Sequence, residues 1–195
     1  LNKTMQKLIF GCGYLGCRVA DLWKQQGDEV TVVTRSEEHA EGFRHHGYET
    51  IVADVTKPET LAELPTAESV LFAVGYDKTS GSSISEVYAE GVENVLAALP
   101  EGTGKIVYIS TTGVYGSAGG DWVDETTSPD PKREGGKASL AAEQVLATHP
   151  LGKLSVALRL AGIYGPGRIP YLDKLRAGEP IAAPCDGWLN LVHVD

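Results

Sequence analysis

The chain is short of the residues that most often announce chemistry on their own: its 195 residues include three cysteines, one methionine, three phenylalanines and three tryptophans. Cys12, Cys17 and Cys185 cannot complete a disulfide framework, and no Cys-x-x-Cys pair or clustered Cys/His spacing points to a metal. Cys12 and Cys17 read as small packing residues. Positive charge is in deficit too. Lys and Arg number 17 against 26 Asp and Glu, for a formal net charge of −9, so there is no electrostatic footprint for DNA, RNA or an anionic membrane. No run of about 18 apolar residues is available to span a bilayer, and the apolar start around Leu8 to Phe10 is too short for a signal peptide. These absences predict a cytoplasmic protein that engages neither nucleic acid nor membrane and that needs a local positive patch to hold any anionic ligand.

What is present is an alternation. Apolar runs of strand length recur at Lys7 to Phe10, Glu29 to Thr34, Glu49 to Val52, Ser69 to Val74, Lys105 to Ser110 and Leu154 to Leu160. Most have the continuous Val/Ile/Leu character of strands buried on both faces. Helical patterns fill the gaps at Tyr14 to Gln26, Ser36 to His46, Ser83 to Leu99 and Lys137 to Thr148. Ser36 is placed as an N-cap and Gly27 as a C-cap. Strict βαβα order predicts a doubly wound parallel α/β sheet of Rossmann type, strand order 3-2-1-4-5, with helices on both faces and ligands beyond the carboxyl ends of the strands. A chain of this length buries about 70% of its unfolded surface, enough for one core. Its start at Leu1 and its stop at Asp195, directly after the apolar Leu189 to Val194, read as a piece of a longer protein.

The strand ends then become site candidates. Lys7-Leu8-Ile9-Phe10 runs into Gly11-Cys12-Gly13-Tyr14-Leu15-Gly16 and on into a helix, the strand, glycine turn and helix of a dinucleotide site. Gly11 permits the tight turn, Gly13 leaves room for a pyrophosphate, and Gly16 lets the helix approach the sheet. Phosphates would rest on the free amides of that helix. After the second strand, where NAD enzymes usually offer an acid to the ribose, stands Thr34-Arg35-Ser36. A guanidinium between two hydroxyls suits a 2′-phosphate, so the sequence leans toward NADP over NAD; the competing reading is a solvated loop arginine. Asp54, in Ala53-Asp54-Val55-Thr56, can accept from an adenine amino group. Ala73, Val74 and Gly75 are small where the cofactor must pass close.

With Ser110-Thr111-Thr112-Gly113-Val114-Tyr115-Gly116 at the end of the fifth strand, the chain resembles the extended short-chain dehydrogenase/reductases, the NAD-dependent epimerase/dehydratase group. The resemblance takes in nearly the whole chain: GCGYLG, ADVT, FAVG, ISTTGVYG, AAEQVL, RLAGIYGPGR and NLVHVD. It implies a Rossmann domain over 1–195, with parts of a substrate region near 163–190 and a smaller C-terminal substrate domain beyond 195. Together with the strand-end reading, it puts Gly11, Gly13, Tyr14, Leu15, Gly16, Arg35, Ser36, Asp54, Val55, Ala73, Val74, Gly75 and Ser110 at the cofactor. Thr111 falls on the family's catalytic Ser/Thr, which hydrogen-bonds the reacting oxygen. The helix 83–99 resembles the one through which family members dimerise; packing on its own sheet explains the same stripe.

One departure matters. The family's Tyr-x-x-x-Lys pairs an acid/base tyrosine with a lysine, yet a gapless alignment on Leu140 to Gln144 puts Gly135 and Ser139 there, and shifting by two to recruit Lys137 puts Arg133 at the tyrosine position. The closest resemblance is to the atypical subgroup without this tyrosine. Tyr115, Tyr164, Tyr76 and Asp77 follow strands on the cofactor side and carry protons to exchange, with Tyr115 taken alongside Thr111 as catalytic. The Asp-Glu pair of nucleotide-sugar 4,6-dehydratases is replaced by Thr112 and Gly113, which disfavours that dehydration. Tyr76, Tyr164 and Arg168 are expected at a small-molecule substrate, with Arg168 either its anion clamp or a solvated arginine beside a Gly-Pro turn, while Trp122 and Trp188 either line the opening or form a lid that packs on the surface. His193 matches a family histidine of structural role. The expected activity is redox or epimerase-like chemistry at a carbonyl or secondary alcohol of a sugar-derived or anionic metabolite; the alternative is a non-catalytic NADP-sensing protein.

Overall fold

A computed structural model describes residues 4–116, 119–182 and 187–195, so Cys185 lies outside the described residues. Six parallel strands form the main sheet: β1 (Gln6–Phe10), β2 (Glu29–Thr34), β3 (Glu49–Val52), β4 (Ser69–Phe72), β5 (Lys105–Thr111) and β6 (Ser155–Leu160), in the order β3-β2-β1-β4-β5-β6. This is a Rossmann-type doubly wound sheet, and the sixth strand extends the expected order by one. The helices are α1 (Gly16–Gln25), α2 (Glu37–His45), α3 (Gly91–Ala98), α4 (Glu134–Thr148) and α5 (Leu172–Ala177), and two short parallel strands, β7 (Gly162–Tyr164) and β8 (Leu191–His193), form a second small sheet.

The period-two geometry of a strand sends alternate side chains to opposite faces, and both faces are used. Leu8, Phe10, Val70, Phe72, Ile106 and Tyr108 point toward α3 and α4. Their neighbours Ile9 and Leu71, with Val107 and Ile109, join the cluster of α1 and α2 that includes Ala20, Val19 and Trp23. That double burial explains the unbroken apolar runs.

Several boundaries move for local reasons. The fourth strand ends at Phe72: the Ala73 amide makes the last ladder bond, to the Phe10 carbonyl at 2.8 Å, and the chain then leaves the sheet before Val74. The expected helix 83–99 is broken into a π-helical turn over Glu86–Glu90 followed by α3. Its apolar stripe, Val87, Val92, Val95 and Leu96, is buried within the molecule. The helix expected from Lys137 begins at Glu134.

Candidate cofactor and substrate site

At the carboxyl ends of β1, β2, β3 and β4 lies a cleft of about 350 Å³. The glycine turn forms its floor. Gly11 sits at φ +87°, and a Cβ on it would come 2.5 Å from the Ala73 carbonyl oxygen, so the turn is pressed against the loop that follows β4. A Cβ on Gly16 would stand 2.3 Å from the Gly11 carbonyl oxygen, the close helix approach expected of the third glycine. Gly13 differs from both: among the described residues nothing lies within 4 Å of its missing Cβ, and it is exposed on the cleft. Absence of a side chain there serves no internal packing and leaves a cradle for a ligand. The first turn of α1 has neither a side-chain cap nor an acid, so its amides face no competing carboxylate.

Gly11, Gly13, Arg35, Asp54, Val55, Val74 and Gly75 line this cleft together. Asp54 is oriented by its own turn, with Oδ1 accepting from the Thr56 amide at 3.0 Å and the Thr56 hydroxyl at 2.8 Å. Other expected cofactor residues face elsewhere. Ser36 caps α2, accepting from the His39 amide at 3.3 Å. Leu15 lines a separate apolar groove, and Ala73 packs into the α1 side of the core. Ser110 is buried and donates to Glu143 Oε1 at 2.5 Å. Tyr14 donates its hydroxyl to the Pro166 carbonyl at 3.0 Å, and its ring is flanked by the guanidiniums of Arg18 and Arg168, 4.2 and 5.4 Å from the ring centre. Arg168 is thereby held over the far side of the glycine turn.

Thr111 ends β5 and caps the 3-10 turn Thr112–Tyr115, its Oγ1 accepting from the Gly113 amide at 3.0 Å. Because that oxygen accepts, the hydroxyl proton remains free to donate. Tyr115, at the end of the same turn, stacks on Arg159, whose guanidinium carbon is 4.8 Å from the ring centre. Arg159 on β6 is in turn clamped by Glu143 of α4 through Nε at 3.0 and 3.2 Å and Nη2 at 2.7 Å. This pair, with side chains only 22% and 10% exposed, holds the arginine firmly protonated, its pKa raised by the Glu143 hydrogen bonds. Tyr164 packs edge-on against His193 at 5.1 Å. Trp122 and Trp188 stand out in solvent.

On α4, Ser139 is buried and Gly135 half-buried, while Lys137 is exposed and paired with Glu134 at 2.9 Å. The lysine available to sequence therefore points away. A Cβ on Gly136 would meet the Gly113 carbonyl oxygen at 2.5 Å, so α4 runs hard against the Thr111 turn.

A model of the NAD dependent epimerase/dehydratase family matches residues 8–182. The chain belongs to that family. Among solved structures, a protein from Methylobacillus flagellatus assigned to NAD-dependent epimerases/dehydratases is 36% identical over 99% of this chain and 67% of its own, with a TM-score of 0.76. A conserved protein of unknown function from Silicibacter pomeroyi is 27% identical over 98% of this chain and 64% of its own, TM-score 0.70. Bordetella bronchiseptica WbmG, solved with NAD, shares the fold at 22% identity and TM-score 0.77, covering 92% of this chain and 62% of its own. The chain thus spans about two thirds of the length of these solved relatives. No curated protein matches it in sequence. Among the described residues of this family member, no helix is long and apolar enough to cross a membrane.

Three features of the site escaped the sequence. The Cys12 and Cys17 sulfurs lie 3.4 Å apart inside the glycine turn, and donation from Cys12 lowers the Cys17 thiol to about 7 while Cys12 is held protonated. Glu143 reads as one more helix acid until β6 brings Arg159 to it. Asp77, a candidate proton carrier, instead forms an ion pair with Arg35. Hydrogen bonds from Thr79, then Arg35, hold its carboxyl down at about 2, which removes it as a proton donor at neutral pH. An Asp-x-Thr signal, shared by Asp54-Val55-Thr56 and Asp77-Lys78-Thr79, marks both aspartates as turn acceptors.

Proposed function

We propose that this chain is an NAD(P)-dependent oxidoreductase or epimerase-like protein acting on a carbonyl or secondary alcohol of a sugar-derived or anionic metabolite, with NADP preferred. The observation that carries it is a cleft floored by a side-chain-free Gly13 at the strands' carboxyl ends, in the sheet whose next strand presents Thr111 with a hydroxyl proton to give. A bound nicotinamide would supply the hydride acceptor or donor. Thr111 orients the reacting oxygen by donating to it. Tyr115, steadied by the Arg159 guanidinium on its ring, exchanges the proton. Tyr76, Tyr164 and Arg168 are assigned to the substrate, and Glu143, by accepting from Ser110, fixes the strand end that carries the adjoining Thr111. Arg35, on the cleft wall between two hydroxyls, supports NADP.

Calorimetric titration with NADPH and with NADH tests the cofactor reading without a guess at the substrate. Tighter NADPH binding is the expected result, and binding of neither removes the reading. A carbonyl screen followed by NADPH absorbance then tests catalysis, in which Thr111→Val should lower turnover about 10²-fold or more.

The second reading, a non-catalytic NADP-sensing protein, is favoured by one observation: α4 carries a glycine and a buried serine where the family's acid/base pair stands, with Lys137 turned to solvent. It predicts cofactor binding with no oxidation across the screen. A homodimer through the 83–99 helix would have to use its outer face, where Glu86, Glu90 and Glu93 are exposed like charges; sedimentation velocity reads the mass directly.

A further inference from the structure

Arg35 follows β2 and Asp77 lies in the loop after β4, the two strands that flank β1 in the sheet. Their ion pair therefore joins the loops on either side of the end of β1, at the cleft that Arg35, Gly13 and Gly75 line. The aspartate is oriented for this. Its Oδ1 accepts from the Thr79 amide at 2.8 Å and the Thr79 hydroxyl at 2.6 Å, and the other oxygen, Oδ2, is left to the guanidinium.

We propose that Asp77 is a specificity-determining residue of the cofactor cleft: it holds Arg35 as a resident counter-ion, so a 2′-phosphate must displace a carboxylate to reach the guanidinium. The inference rests on the cleft being the cofactor site and adds to it what sets the discrimination. NAD asks nothing of Arg35 and leaves the pair in place, whereas NADP must break it and then sit beside the displaced negative charge. The carboxylate stays ionised through the neutral range, because Thr79 and Arg35 hold its proton affinity low. Both side chains are substantially exposed, at 47% and 41%, and an exposed pair is weak. A phosphate making charge-assisted bonds to the fork of the arginine can win the exchange. Asp77 thus narrows the preference for NADP without reversing it.

The test is Asp77→Asn. Asparagine keeps the Oδ1 acceptor that Thr79 needs and removes the charge that Arg35 meets, so the loop is retained and the counter-ion is lost. Calorimetry with NADPH and NADH, and with adenosine 2′,5′-bisphosphate against AMP, should show the two 2′-phosphorylated ligands binding about fivefold to tenfold tighter to the variant, a gain on the scale of one exposed charge pair plus the repulsion relieved. NADH and AMP should change by less than about twofold. Equal shifts for all four ligands, or none, overturn the role of Asp77 while leaving the cofactor site standing. Binding of neither cofactor to either protein overturns the cofactor site, and this inference with it.

Discussion

At the scale of single residues, the three glycines of one motif do three separable jobs. Gly11 is fixed by a positive φ and by the Ala73 carbonyl, and Gly16 by the Gly11 carbonyl, so both belong to the fold. Gly13 meets nothing among the described residues. Gly11→Ala must pay left-handed backbone strain and a backbone clash together, and should cost more than about 2 kcal/mol in urea unfolding. Gly13→Ala should leave the unfolding midpoint unchanged and weaken NADPH binding about tenfold or more, because its Cβ would occupy the space kept for the pyrophosphate. If both variants lose only stability, Gly13 is a structural glycine and the cradle is not a ligand site. Such a split is invisible in the string GCGYLG, where the glycines differ only in position.

Among elements, the contact of β5, β6 and α4 decides where the candidate chemistry sits. The Glu143 carboxylate takes hydrogen bonds from Ser110 of β5 and from Arg159 of β6, and Arg159 supports the ring of Tyr115. Glu143→Ala leaves the half-buried Arg159 and the buried Ser110 without their acceptor and should destabilise the protein by about 3 kcal/mol in chemical unfolding. Replacing Glu143 and Arg159 together by methionine should recover most of that loss, since the cost comes from an uncompensated charge. Recovery of stability without recovery of turnover in the double variant would separate holding the sheet from holding Tyr115. Sequence singled out Ser110 and Tyr115 but neither Glu143 nor Arg159, and only the packing of α4 against paired β5 and β6 brings the four together.

Over the whole molecule, burial is uneven across the sheet. It falls off at the β6 edge: on the face of α1, Val156 and Leu158 are 42% and 39% exposed, and on the opposite face Ala157 is exposed as well. Leu158, with Leu160, Ile163 and Val192, edges an apolar groove of about 290 Å³ that no element among the described residues covers, and Val156 lies two residues from it on the same face of β6. An apolar surface of this kind binds hydrophobic dyes. The chain should therefore enhance anilinonaphthalene sulfonate fluorescence while fully folded, and Leu158→Thr with Val156→Thr should reduce the signal with a change of less than about 1 kcal/mol in stability, as expected of exposed positions. Dye fluorescence that is unchanged by the double variant would place the apolar surface elsewhere.

The alternation of strands and helices, the parallel sheet and its opening order, and the position of the glycine turn were all determined by the sequence, because each is written in local patterns: unbroken apolar runs of strand length, caps, and glycines between a strand and a helix. So were the candidates at strand ends, since in a parallel sheet those ends gather at one edge by topology alone. Tertiary structure decided which of them meet. It joined Arg35 to Asp77 across 42 positions of chain and Arg159 to Ser110 through Glu143, turned Tyr14 from the cleft to Pro166, and left Lys137 in solvent. Charge pairing and side-chain direction depend on which elements become neighbours and at what register, and that information is spread over the whole chain rather than held in any one segment.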